Sequence, residues 1–166
     1  HILFSLKENG KAAIVLPTGF ITAQSGIDKK IREYLVENKM LAGVVSMPSN
    51  IFATTGTNVS ILFIDKANKD KVVLIDVSGL GEKIKDGKNQ KTVLSRAEEQ
   101  KICNTFTNKQ AVEDFSVVVG YDEIQAKNYS LSAGQYFEGK IDYVDISADE
   151  FAQKMADFSA DLDKLF

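Results

Sequence analysis

The sequence is poor in the residues that build metal centres and disulfides. It has one cysteine, Cys103, and one histidine, His1. A lone thiol closes no intrachain disulfide, and one His with one Cys falls short of any zinc-ligand set. A cytoplasmic location fits that thiol usage. Cys103 falls in a helical pattern with Ile102 and Phe106. It reads as a buried or half-buried thiol, with a catalytic thiol the lesser reading. Proline occurs twice, at Pro17 and Pro48, and tryptophan not at all. No apolar run approaches the roughly 20 residues that span a bilayer. A surplus of positive charge is also missing: Lys and Arg total 20 against 23 Asp and Glu, a net charge of -3. Neutralising phosphates takes excess Lys and Arg on one face, so this balance argues against autonomous DNA binding and leaves room only for a local basic patch.

What is present is an ordinary globular composition, 44% hydrophobic and 26% charged, enough for one domain or for a half-domain with extensions. His1 to Lys7 has neither the charged start nor the apolar stretch of a signal peptide. It reads as the last turns of a helix, which leads us to expect that the chain starts inside a larger protein. Asn9-Gly10 stops that helix. Lys11 to Leu16, ended by Pro17, has the look of a strand buried on both faces. Ser25-Gly26-Ile27-Asp28 opens a helix with Ile27, Ile31, Tyr34 and Leu35 on its apolar stripe and charges elsewhere. Asn38 ends it, and Leu41 to Met47 is a second buried strand before Pro48. Strand, helix and strand with short links make a βαβ unit with parallel strands and a right-handed crossover. Asn58 to Ile64 is a third strand, expected antiparallel beside the second.

Beyond Asp65 the texture changes. Lys71 to Val77 reads as a strand, and Ser78 to Thr92, rich in Gly, Lys and Asn, as a long loop. Ser95-Arg96-Ala97-Glu98 is a capping box that starts a helix through about Thr105. Phe115 to Val119 is a short strand, Tyr121 to Lys127 a helical turn, and Asn128 to Gly139 irregular and aromatic. Ser147-Ala148-Asp149-Glu150 is a second capping box. It opens a helix with Phe151, Met155, Phe158, Leu162 and Leu165 on one stripe.

Several of these blocks resemble a known family. Gly10-Lys11-Ala12-Ala13-Ile14-Val15-Leu16-Pro17 resembles the late strand motif of N6-adenine methyltransferases of the type I restriction-modification (modification subunit) family. Val44-Val45-Ser46-Met47-Pro48-Ser49-Asn50 is similar to the family's next strand, and Phe52 through Ile64 to the hairpin that closes its sheet. Ile75-Asp76 with Leu80 to Lys85 resembles its post-sheet segment. Asn128-Tyr129-Ser130-Leu131-Ser132-Ala133-Gly134-Gln135-Tyr136-Phe137 is similar to its Tyr-x-Leu-x-x-x-Arg-Tyr signature, with Gln135 where Arg is usual. The likeness runs in order along nearly the whole chain.

The resemblance implies the C-terminal half of a Rossmann-like, S-adenosylmethionine-dependent methyltransferase sheet. We expect residues 1–67 to form that half, 68–146 an α+β extension and 147–166 a C-terminal amphipathic helix. The family's Gly-rich donor loop and its Asn-Pro-Pro-Phe/Tyr catalytic loop do not occur here, since neither proline follows an Asn; both are expected upstream. The resemblance then implies methyl transfer from S-adenosylmethionine to adenine N6 in DNA by the parent protein. The isolated chain is expected to be inactive and to hold neither cofactor nor metal. The alternative is a non-catalytic assembly module that docks a DNA-specificity subunit.

The loop from Pro48 to Asn58 falls at the carboxyl end of the parallel strands, where open α/β sheets bind ligands. Phe52 there is a candidate to stack on a flipped adenine, and Thr55, Gly56, Thr57 and Asn58 to touch nearby phosphates. The competing reading is a hairpin turn with Phe52 in the core. Lys83, Lys85, Lys88 and Lys91 are candidates for DNA-backbone contact, but Glu82 and Asp86 interleave with them, which favours a solvated loop. The last helix is a candidate surface for the specificity subunit, with packing on its own core the competing reading, and the restriction subunit is a further expected partner in the complex. An exposed first-strand edge would invite association unless covered, and a dimer of the chain is one way to cover it.

Overall fold

The protein is described by a computed structural model for residues 1–52, 56–137 and 147–163. Helix α1 (Ile2–Ser5) precedes strand β1 (Lys11–Pro17). A short α2 (Gly19–Thr22) and α3 (Gly26–Glu37) lead to β2 (Leu41–Ser46), and β3 (Val59–Asp65) and β4 (Lys71–Asp76) follow. A ribbon of β5 (Glu82–Asp86) and β6 (Asn89–Val93) precedes α4 (Arg96–Thr107). Then come β7 (Ser116–Gly120), α5 (Tyr121–Ala126), a 3-10 turn (Ala133–Gln135) and α6 (Ala148–Asp163).

Five strands form one sheet in the order β1-β3-β2-β4-β7. The pairs β1–β3, β3–β2 and β4–β7 are antiparallel, whereas β2–β4 is parallel. So β1 and β2 do run parallel, but β3 returns between them. Side chains alternate across the pleat. Val44, Leu62, Leu74 and Val72 pack with Leu35 and Val36 of α3 on one face, while Val45, Val73 and Ile75 pack toward Phe106 of α4 on the other. Each such fully buried side chain contributes about 1.5–3 kcal/mol. The result is a helix–sheet–helix sandwich.

The structure corrects several expectations. β1 is not buried on both faces: its residues alternate exposed and half-buried, and Val15 is 51% exposed. One of its edges has no partner among the described residues, and the face on the α4 side is open where α4 does not reach. The apolar stripe of α3 is rotated from the expected one. Ile27 is 74% exposed, and the buried residues are Arg32, Leu35 and Val36. Ser25 is the N-cap of α3 but makes no capping hydrogen bond through its side chain. The stretch expected as a loop, 78–92, forms the β5–β6 ribbon, because polar residues pair as readily as apolar ones in a two-stranded ribbon open to water. Cys103 is exposed, since α4 turns Ile102, Thr105 and Phe106 inward instead. The capping boxes at Ser95 and Ser147 form as expected. Glu98 N donates to Ser95 Oγ at 3.3 Å and Glu150 N to Ser147 Oγ at 3.2 Å.

Candidate nucleic-acid interface

The parallel strands β1, β2 and β4 end at the same side of the sheet, with Pro17 opposite Val59, Ser46 opposite Ser60 and Ser46 beside Asp76. Backbone bonds stitch this end together: Thr18 N donates to Asn58 O, Met47 N to Val59 O and Val77 N to Ser46 O, each at 2.9 Å. The hydroxyls of Thr18 and the fully buried Ser60 lie 3.2 Å apart.

The loop after β2 leaves from this end. Pro48 is buried. Asn50 takes a left-handed backbone (φ 56°), a conformation that Asn tolerates better than most residues. Its carbonyl accepts a 2.9 Å bond from Thr92 N. Phe52 is 50% exposed, so its ring is not in the core. Gly56, Thr57 and Asn58 are exposed, and Thr55 lies outside the described residues.

The Thr92–Asn50 bond joins two candidate regions that sequence alone kept apart. It sets the outer edge of β6 against the 48–52 loop, so the lysine-bearing ribbon stands beside the aromatic-bearing loop. The ribbon's base is held by Glu98, whose carboxylate accepts from Gly81 N at 3.0 Å and from Ser95 N at 2.7 Å. These bonds hold the Glu98 carboxyl below its usual range. Register sorts the charges. Opposite and alternate residues of an antiparallel pair share a face, so Lys83, Lys85, Gln90 and Thr92 fall on one side. Glu82, Ile84, Lys91 and Val93 fall on the other. Lys83, Lys85 and Lys88 are exposed and Lys91 is half-buried. Among the described residues none of the four is in an ion pair. Thr92 is 3% exposed, and its hydroxyl has no partner among the described residues.

The aromatic block 128–137 serves a different purpose. Arg32, fully buried, donates from Nε to Tyr129 O at 2.8 Å and from its terminal nitrogens to Phe20 O and Ala23 O. Burial lowers its pKa against the opposing influence of Asp28 and Glu33. Leu131 N donates to Ile21 O at 3.0 Å, and Tyr136 Oη donates to Ser130 O at 2.6 Å. The block is a clip over α2, α3 and α5. Gln135 stands exposed in it, and its carbonyl accepts from Lys127 Nζ. Sequence reasoning missed Arg32. The signal was there, because 32, 35 and 36 have helical core spacing, but a charge at the first position disguised it.

On α6, Phe151, Met155 and Phe158 are 56%, 57% and 73% exposed. Leu162 belongs to the same helix, and Leu165 lies outside the described residues.

A sheet with an antiparallel strand inserted between two parallel ones and helices on both faces has the Rossmann-like methyltransferase architecture. The chain belongs to the N-6 DNA Methylase family, which matches residues 1–143. It is 34% identical over 164 residues to the type I restriction enzyme MpnII methylase subunit of Mycoplasma pneumoniae, covering 95% of this chain and 30% of that protein. It is 30% identical over 177 residues to the MjaIX methylase subunit of Methanocaldococcus jannaschii, covering 99% of this chain and 30% of that protein. The crystal structure of a type I restriction-modification methyltransferase subunit from Streptococcus thermophilus superposes with a TM-score of 0.72 at 28% identity, over 82% of this chain and 28% of that one. The chain thus spans about 30% of the length of the curated relatives it matches.

Proposed function

We propose that this chain is the closing part of a DNA adenine-N6 methyltransferase, the modification subunit of a type I restriction-modification system. In this reading residues 1–67 complete the catalytic sheet, 68–146 extend it and 147–166 dock other subunits. The observation that carries the reading is the family match over 1–143 on a sheet in which one edge of β1 has no partner among the described residues. An upstream strand pairs with that edge. The 48–58 loop walls the pocket into which the target adenine is flipped, with Phe52 stacked on the base. The apolar face of α6 meets the DNA-specificity subunit, and the restriction subunit joins the same complex. Support for that docking is the exposure of Phe151, Met155 and Phe158.

S-adenosylmethionine is the methyl donor of this activity, and the residues present do not make a site for it. The sequence carries no Gly-rich donor loop and no Asn-Pro-Pro loop. A cavity of about 500 Å³ opens at the opposite end of the parallel strands, lined by Lys11, Ala42, Phe63, Asp65 and Lys109. Its Lys11–Asp65 ion pair at 3.0 Å is already satisfied. The donor is therefore assigned to upstream residues of the parent protein. Radiolabelled methyl transfer to DNA checks the reading: the full-length protein with its specificity subunit labels adenine, and the isolated chain neither labels DNA nor binds S-adenosylmethionine by calorimetry. Donor binding by the isolated chain contradicts it.

A further inference from the structure

We infer that the β5–β6 ribbon is an arm that grips the phosphate backbone of duplex DNA beside the base pocket, through Lys83 and Lys85 on one face and Lys88 at its tip. The inference rests on the DNA-methyltransferase reading and deepens it.

Along the chain, Glu82 stands next to Lys83 and dilutes the positive charge. Folded as a ribbon, the chain alternates, and Glu82 goes to the face opposite Lys83 and Lys85. That opposite face borders a hollow lined by Glu82, Ile84, Val93 and Glu98. Apolar groups and carboxylates make it a poor seat for a phosphate. The Lys83/Lys85 face carries Gln90 as its other exposed residue, a neutral donor suited to a phosphate oxygen. The tip is a tight turn in which Gly87 takes φ 62°, with Lys88 exposed beside it. Thr92 N on Asn50 O fixes the ribbon at the carboxyl ends of β1, β2 and β4, next to Phe52. A duplex whose adenine enters that pocket runs its flanking phosphates past this ribbon. Backbone contacts of this kind position the duplex and read no sequence. They also suit a chain of net charge -3 that gathers Lys83, Lys85 and Lys88 on one arm.

The test uses the full-length methyltransferase with its specificity subunit and a labelled duplex of random sequence, titrated between about 50 and about 200 mM salt. Removing one phosphate-neutralising lysine makes the slope of log K against log salt shallower by about 0.9. Lys83→Ala/Lys85→Ala is expected to flatten it by about 1.8, and Lys88→Ala by about 0.9. Lys91→Ala, on the other face of the same ribbon, leaves it unchanged, and Lys83→Arg/Lys85→Arg restores it. With a duplex that carries the methylation site, the double variant raises KM for DNA. An unchanged slope in the double variant, or an equal flattening in Lys91→Ala, overturns the inference while wild-type methylation leaves the enzyme reading intact. A wild-type protein that neither binds nor methylates DNA overturns both.

Discussion

Strands β1 and β2 are short apolar runs of similar composition, each leading to a proline, and they meet different environments. β2 lies between β3 and β4, and Leu41, Val44 and Val45 are at most 3% exposed. Among the described residues β1 pairs only with β3, and Val15 is 51% exposed. Apolar character reports that a strand is meant to be covered; which element covers it is a property of the neighbours. On this account β1 belongs to an interior whose other side is supplied by the upstream sheet.

The largest effect expected from this contrast is at Gly43 of β2. A Cβ there would press on the Val73 carbonyl and come within 2.6 Å of Phe106 Cε2. Because one obstacle is backbone, Gly43→Ala should cost about 3 kcal/mol or more in urea unfolding, whereas Ala13→Val on the open face of β1 should change stability by less than about 0.5 kcal/mol. Next is Leu41→Ala, which empties a fully buried position and should cost about 3 kcal/mol, against less than about 0.5 kcal/mol for Val15→Ala. Equal losses in either pair would erase the distinction between the strands.

Phe52→Ala sharpens the functional side. The ring is half exposed, so stability should hold within about 1 kcal/mol. Removing a base-stacking aromatic worth about 1–3 kcal/mol should lower methylation by the full-length enzyme about tenfold or more. The smallest effect concerns the 128–137 clip. Burial, with a minor influence from Glu123, pushes the Tyr136 phenol up to about 12. The folded value lies above the unfolded value of about 10. The clip's contribution is therefore fully present below about pH 10 and is lost as pH rises through about 12. Burial also raises the Tyr121 and Tyr129 phenols, so a tyrosine titration by ultraviolet absorbance should show a late phase that Tyr136→Phe reduces.

Much of the fold was legible in the sequence. Strand positions β1 to β4, helices α3 and α4 and the antiparallel return of β3 follow from periodicity and caps. The insertion of β3 between β1 and β2 was not legible, since local pattern does not encode sheet order. The ribbon was hidden because Lys, Gly and Asn carry loop statistics while Glu82 to Val93 still pair residue by residue. At the candidate interface, the loop and the lysines were both visible, but their adjacency depends on one backbone bond from Thr92 to Asn50 across distant segments. Arg32 was hidden because a buried cation that bonds to backbone carbonyls looks, in sequence, like one more surface charge.

On this account the open edge of β1 is the joint to the rest of a methyltransferase sheet. Amide hydrogen exchange tests that joint most directly, compared between the isolated chain and the full-length protein. The β1 amides pointing away from β3 are expected to exchange freely in the isolated chain and to become strongly protected in the full-length protein, while β2 amides are protected in both. Equally fast exchange of those β1 amides in the full-length protein would contradict it.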